Sequence, residues 1–262
     1  MSPLRIHIEG IGLWSKHLGH YAALQSLLAG DTPEPPLSKP AATTLPPNER
    51  RRAPESVLLA VEVAGQAVAM SGRAPASLAC VFSSSHGDQE ITDYMCATLA
   101  SAPTELSPIR FHNSVHNAAV GYWTIATGCH APSTALAAQR ASFGASLLEA
   151  ASQVLAEQRP VLLVCSDTAS SGPLLEVTGC TQSFGCALVL APESSATTMA
   201  SLRLSLTTSR VISSLAEPLA HWRESNASAG ALPLLALLAE GHGRCQLDAA
   251  ATLGLQIDMD HI

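Results

Sequence analysis

Aromatic residues are scarce in this chain, 4% of 262, and so are charged ones, at 13%. So few rings leave no platform on which successive bases could stack. The cations are outnumbered, 14 Lys and Arg against 21 Asp and Glu, and apart from Arg50, Arg51 and Arg52 they are scattered. With a net charge of −7 there is no broad basic face to displace counterions from a phosphate backbone, so a nucleic-acid partner is not expected. Also missing is any C-x-x-C pair. The seven cysteines, at 80, 96, 129, 165, 180, 186 and 245, stand singly and read as reduced, mostly buried thiols. No apolar run reaches the ~18 residues of a spanning helix, and the N-terminus lacks a basic segment followed by an apolar core. A cytoplasmic chain without a membrane span is the expectation.

What is present is apolar and regular. Hydrophobic residues make up 47%, enough to bury a sizeable core, and the chain 1–262 reads as a single domain. Residues 4–14 have strand character, and 21–30 have helical spacing closed by glycine. The prolines of "DTPEPPLSKPAATTLPP" (31–47) forbid regular structure and predict an exposed loop. A long apolar helix over 54–72 is opened by proline and ended by glycine. A buried strand follows over 77–85, then a helix over 87–100. Residues 114–127 read as helical, 133–138 as extended and 140–158 as helical again. "RPVLLVCSD" (159–167) is the apolar run of a strand covered on both faces. The segments 183–193 and 200–209 are predicted to form an antiparallel pair, and a helix over 228–241 and a strand over 251–260 complete the chain. Such alternation implies a layered α/β sandwich.

Several motifs suggest chemistry. His112 and His116 in "FHNSVHNAAVGYW" share one face if the helix starts early, a spacing that suits zinc. The motif has no metalloprotease glutamate and no third ligand, so capping and hydrogen bonding by His112, Asn113 and Ser114 is the favoured reading, with pocket lining next. His17 and His20 read as surface residues. "VFSSSHGD" (81–88) raises a serine hydrolase using Ser84 or Ser142 with His86, His112 or His116, yet no G-x-S-x-G elbow exists and loop and cap roles suit these residues better. Cys165, Cys180 and Cys186 lie in apolar settings and read as structural. "SFGCALVLAPE" carries one glycine where a phosphate cradle needs several, so no nucleotide site is indicated; neither a cofactor nor a metal is expected.

The stretch "STALAAQRASFGASLLEA" (133–150) reads as a short strand turning abruptly into a helix, a place where reactive groups are displayed and charge is stabilised. With "RIHIEGIGLWSKHLGHYAALQSLLAG", "SLACVFSSSHGD", "GCHAPSTALAAQRAS" and "TQSFGCALVLAPE", it resembles the N-terminal portion of a β-ketoacyl synthase. The resemblance runs through most of the chain. It implies a thiolase-like layered α/β/α sandwich, truncated relative to full-length ketosynthases, and an elbow that in active members carries a nucleophilic cysteine at a helix N-terminus.

The family spacing from Ser133 places Arg140 at that elbow, or Gln139 if one residue is deleted, and neither forms an acyl thioester. The His-Gly-Thr motif of active members is absent as well. The chain therefore resembles the chain-length-factor-like homologues, most closely a short subgroup associated with aryl polyene pigments. That resemblance implies a subunit without catalysis of its own. It would form a heterodimer with a full-length ketosynthase, shape the acyl tunnel, and meet acyl carrier protein through the complex, with a homodimer possible when alone. It further implies that the strand before the elbow pairs across a two-fold axis, with Ser133, Ala135, Ala137, Tyr122 and Trp123 at the interface. His112, Asn113, His116, Asn117 and Phe143 would line the pocket, and Gln139 or Arg140 would fill the vestigial site and bond near His112 and Asn113.

Overall fold

Ile6, Ile8, Ile11 and Leu13 of strand β1 (Leu4–Ser15) all face one core, although their spacing skips a residue. A β-bulge between Ile8 and Gly10 absorbs the extra position. The computed structural model describes residues 3–32, 37–209 and 211–260. After β1 come α1 (Tyr21–Leu28), α2 (Pro47–Arg52), α3 (Glu55–Ser71), β2 (Ala79–Ser83), α4 (Gln89–Ser101), α5 (Pro108–Asn113) and α6 (Ala118–Thr127). Then follow β3 (Ser133–Leu136), α7 (Ser142–Glu157), β4 (Val161–Asp167), α8 (Gly172–Thr178), β5 (Phe184–Ala191) and β6 (Ala200–Thr207). The last elements are α9 (Leu219–Ser225), α10 (Leu232–Glu240), β7 (Gly243–Asp248) and β8 (Gly254–Asp260). Residues 33–36 of the proline-rich loop lie outside the described residues, and its far end runs into α2.

The described strands form one eight-stranded mixed sheet in the order β3-β2-β4-β5-β1-β6-β8-β7. Strand β2 runs parallel to β3 and β4, and every other pairing is antiparallel. One face is covered by α1, α7, α9 and α10, the other by α3 and α6, and each face buries its own hydrophobic cluster. This is the layered α/β/α arrangement that the resemblance implied. Helix α3 lies close on β1 because Gly10 and Gly12 carry no side chain. A Cβ at Gly12 would sit 1.9 Å from the Val63 carbonyl oxygen.

Several expectations are corrected. The segments 183–193 and 200–209 do not pair with each other. Long β1 lies between them, bonding β5 along His7–Ser15 and β6 along Leu4–Ile8. The helix expected over 114–127 begins only at Ala118, because Ser107 caps a separate short helix, α5, and the chain turns between Asn113 and Ala118. Strand β7 has no counterpart among the expected elements. Its Arg244 and Gln246 hide the alternation of buried Cys245 and Leu247. In addition, the helix expected over 228–241 starts with a 3-10 turn at Ser228–Ala231 before α10.

Candidate functional site

The turn between β3 and α7 is built by Ser142. Its Oγ accepts from the Ala138 N–H at 2.9 Å and donates to the Gln139 carbonyl at 2.6 Å, while Ser85 Oγ donates to it at 3.0 Å. Held this way, Gln139 adopts φ +51°, the left-handed region that non-glycine residues seldom visit and that functional turns often retain. A 3-10 turn over Gln139–Ala141 then feeds helix α7. Gly144 lets the chain between β7 and β8 close against the start of this helix, since a Cβ there would lie 2.0 Å from the Asp248 carbonyl oxygen.

Two residues are displayed. Gln139 is exposed. Arg140 turns away from His112 and Asn113, contrary to expectation: its Nη2 donates to the carbonyls of Arg223 at 3.2 Å and Glu224 at 2.9 Å, at the C-terminal end of α9. Carbonyls left over at a helix end attract a cation, which explains the choice.

Beneath the turn lies a cluster centred on Asp167, 2% exposed at the end of β4. Its Oδ1 accepts from Ser84 Oγ at 2.7 Å, the Ser85 N–H at 2.8 Å and the His86 N–H at 3.4 Å; its Oδ2 accepts from Ser228 Oγ at 2.5 Å. Asn226 continues the network, donating from Nδ2 to the carbonyls of Asp167 and Gln182 and accepting the Ser228 N–H. Sequence reasoning missed Asp167, Asn226 and Ser228. Asn226 and Ser228 lie far along the chain from Asp167, and only the buried end of an apolar strand hinted at Asp167.

The expected pocket residues separate into three places. His112 and Asn117 line an apolar groove of about 410 Å³ with Leu45, Tyr122 and Ile125. Asn113 and His116 border a small niche of about 40 Å³ with Ser84, Asp88 and Ser166. There the Tyr122 hydroxyl donates to Asn113 Oδ1 at 3.3 Å, and His116 Nε2 donates to the Ser84 carbonyl at 2.9 Å. Phe143 belongs to the core and touches a third cavity, about 160 Å³, on the side where Arg140 lies. Of the expected interface residues, Ser133, Ala135 and Ala137 are exposed and Tyr122 is partly so. Trp123 is not available for an interface: at 1% exposure it packs under α6 in the core beside α3.

The other candidates resolve plainly. His112 and His116 are not on one helix, and among the described residues no group of three or more His, Cys, Asp or Glu side chains is gathered as a metal site. His20 caps α1, accepting from the Ala23 N–H, and His17 stacks on Trp222. Ser84 Oγ is engaged with Asp167 and the Gly87 N–H, and Ser142 is fully buried, so both hydroxyls are committed to structural bonds. Burial, with the nearby Asp167 charge adding to it, pushes the Cys165 and Cys180 thiols up to about 12, and burial likewise drives Cys186 upward. They remain protonated and structural, as expected. No helix among the described residues is long and apolar enough to cross a membrane.

Comparison with known proteins places this geometry. The chain resembles a structure of the ketosynthase ApeO in complex with its chain length factor ApeC from Xenorhabdus doucetiae. That match has a TM-score of 0.74 and 22% identity over 97% of this chain and 99% of that one. It also resembles a chain of AntDE:AntF, a type II PKS acyl-carrier protein in complex with its ketosynthase, with a TM-score of 0.76 and 13% identity over the whole of both chains. A third similar structure is the ishigamide ketosynthase/chain length factor, with a TM-score of 0.57 and 15% identity, covering 80% of this chain and 65% of that one. At these identities the likeness establishes a ketosynthase-like fold. No curated protein matches the chain. The family model for the N-terminal domain of β-ketoacyl synthases matches residues 20–252, and the chain, with a strand–turn–helix elbow that carries Gln139 and Arg140, therefore belongs to the β-ketoacyl synthase family.

Proposed function

We propose that this protein is a chain length factor: a non-catalytic, single-domain, cytoplasmic subunit that pairs with a full-length ketosynthase, stabilises it and shapes its acyl tunnel in an aryl-polyene-type pathway. The observation that carries this reading is the elbow itself. Its backbone is held by Ser142, yet it presents an amide, and the neighbouring guanidinium is committed to the end of α9. Neither group forms a thioester. Acyl carrier protein would be reached through the complex.

The partner's place is supported by β3, which bonds only β2 on its inner side and leaves its outer edge without a strand among the described residues. Ser133, Ala135 and Ala137 are the residues we assign to that contact, together with Tyr122 of α6, and the same edge would pair two copies of the isolated chain only at high concentration. That its structural relatives include ketosynthase–chain length factor complexes supports a pairing role, without bearing on which residues make the contact. A serine hydrolase draws no support, because Ser84 and Ser142 both hold structural hydrogen bonds.

Co-expression with the full-length ketosynthase encoded nearest to it tests the proposal. The two should purify as one complex, and omitting this chain should reduce the partner's solubility and change the length of the acyl chain built on carrier protein. Separate purification of both at micromolar concentration, with no effect of one on the other's solubility or elongation, contradicts it.

A further inference from the structure

Two thiols converge on one carbonyl where the chain approaches the edge strand. Cys80, in β2, donates to the Leu78 carbonyl oxygen at 3.5 Å, and Cys129, in the turn between α6 and β3, donates to the same oxygen at 3.3 Å. Sharing one acceptor sets the two thiols side by side. The backbone around them is tied down, for the Cys80 N–H donates to the Pro132 carbonyl at 2.9 Å. Cys80 is wholly buried, whereas Cys129 keeps 6% of its surface.

We propose that Cys129 and Cys80 are a redox pair that a small disulfide such as oxidised glutathione converts into a bond clipping the α6–β3 junction to β2. Cys129 loses its proton and its sulfur bonds one glutathione sulfur, breaking the glutathione S–S bond and releasing one reduced glutathione. Cys80 then loses its proton, bonds the Cys129 sulfur and expels the second. Two protein thiols are oxidised and one glutathione disulfide becomes two thiols.

The order follows from access. Cys129 keeps part of its surface while Cys80 keeps none, so Cys129 meets the glutathione disulfide first and Cys80 resolves. Oxidation removes both donors from the Leu78 oxygen, which favours a readily reduced bond over a permanent one. Cys165 and Cys186 also face each other, across β4 and β5, but both are fully buried and out of an oxidant's reach. The consequence for partner pairing rests on the heterodimer reading, since β3 is the strand assigned to the partner. The thiol chemistry does not.

The test uses the whole chain carrying Cys96→Ser, which removes the exposed thiol and leaves six. After native equilibration with oxidised glutathione and an acid quench, alkylation in denaturant should find two thiols lost, the intact mass lower by two hydrogens, and a cross-linked Cys80–Cys129 peptide. Reduced glutathione should restore both thiols, and a further Cys129→Ser change should prevent the loss. Six persisting thiols, a glutathione adduct remaining on Cys129, or a Cys165–Cys186 bridge overturns the proposal. The peptide map of the Cys96→Ser chain decides even if the double variant fails to fold, and because it needs no ketosynthase, failure to find a partner leaves it intact.

Discussion

The two ends of the sheet are finished differently. At one end β7 is sealed: the Ser213 N–H donates to the Gln246 carbonyl at 3.2 Å, the Gln246 N–H donates to Ser213 Oγ at 3.0 Å, and the Gln246 side chain reaches the Ser209 carbonyl. Exposed Arg244, paired with Asp258, adds charge to that edge. At the other end β3 is short, uncharged and small-featured, "STAL", with Ser133 and Ala135 exposed and no strand on its outer side among the described residues. Soluble proteins guard edges with charges, straps or bulges, and an edge without these is fitted for pairing. The sheet carries such protection at β7 and omits it beside the elbow.

The largest expected effect comes from protecting the open edge. Ala135→Arg should weaken binding to the ketosynthase at least about a hundredfold, the scale of a disrupted interface hot spot, while leaving the isolated chain's melting temperature unchanged. Binding measured by interferometry, with thermal unfolding as control, checks both halves. Next comes the elbow. Arg140→Ala should cost about 2 kcal/mol in urea unfolding, since two hydrogen bonds from a guanidinium to the last carbonyls of α9 are lost. The Arg140→Gln variant, which keeps a shorter, uncharged donor, should recover only part of this. At the sealed edge Gln246→Ala should cost about 1 kcal/mol, the scale of one lost hydrogen bond, and leave partner affinity untouched. A loss of affinity there equal to that of Ala135→Arg would erase the distinction between the edges.

The smallest effect concerns acid. Glu9, buried at the bulge of β1, is opposed by burial, but hydrogen bonds from Arg73 and Ser195 more than compensate and hold its carboxyl below the ordinary range. A carboxyl whose folded pKa is depressed stabilises the fold above its unfolded pKa and loses that contribution as pH falls through the folded value. Chemical denaturation between about pH 5 and pH 3 should therefore show a shallower fall in stability for Glu9→Gln than for the unaltered chain. Identical slopes would remove Glu9 from the acid response.

The sheet centre and the elbow could be read from residues alone, for identifiable reasons, whereas the sealed edge at β7 could not. The apolar run 161–167 is buried at every position because β4 lies between β2 and β5 with helices on both faces. The elbow was legible because a short strand, a tight turn and an amphipathic helix follow one another locally. What depended on distant partners was not legible. Arg140 chooses carbonyls supplied by α9, and nothing near it in sequence announces them. Trp123 looked like an interface residue beside Tyr122, but on a helix neighbouring positions point in different directions, and Trp123 is the one turned into the core. The pairing of β5 with β6 failed because β1, far upstream, is long enough to pass between them. The break before α6 contains neither proline nor glycine, so nothing local marked it.

Hydrogen exchange of the β3 amides, residues 133–136, with and without the ketosynthase is the most direct measurement of the central claim. Exchange should be fast at the outward-facing amides of the isolated monomer and slow markedly in the complex, with the amides of β7 unaffected. A stable complex in which β3 exchanges as it does in the free monomer, while another surface becomes protected, would contradict the account.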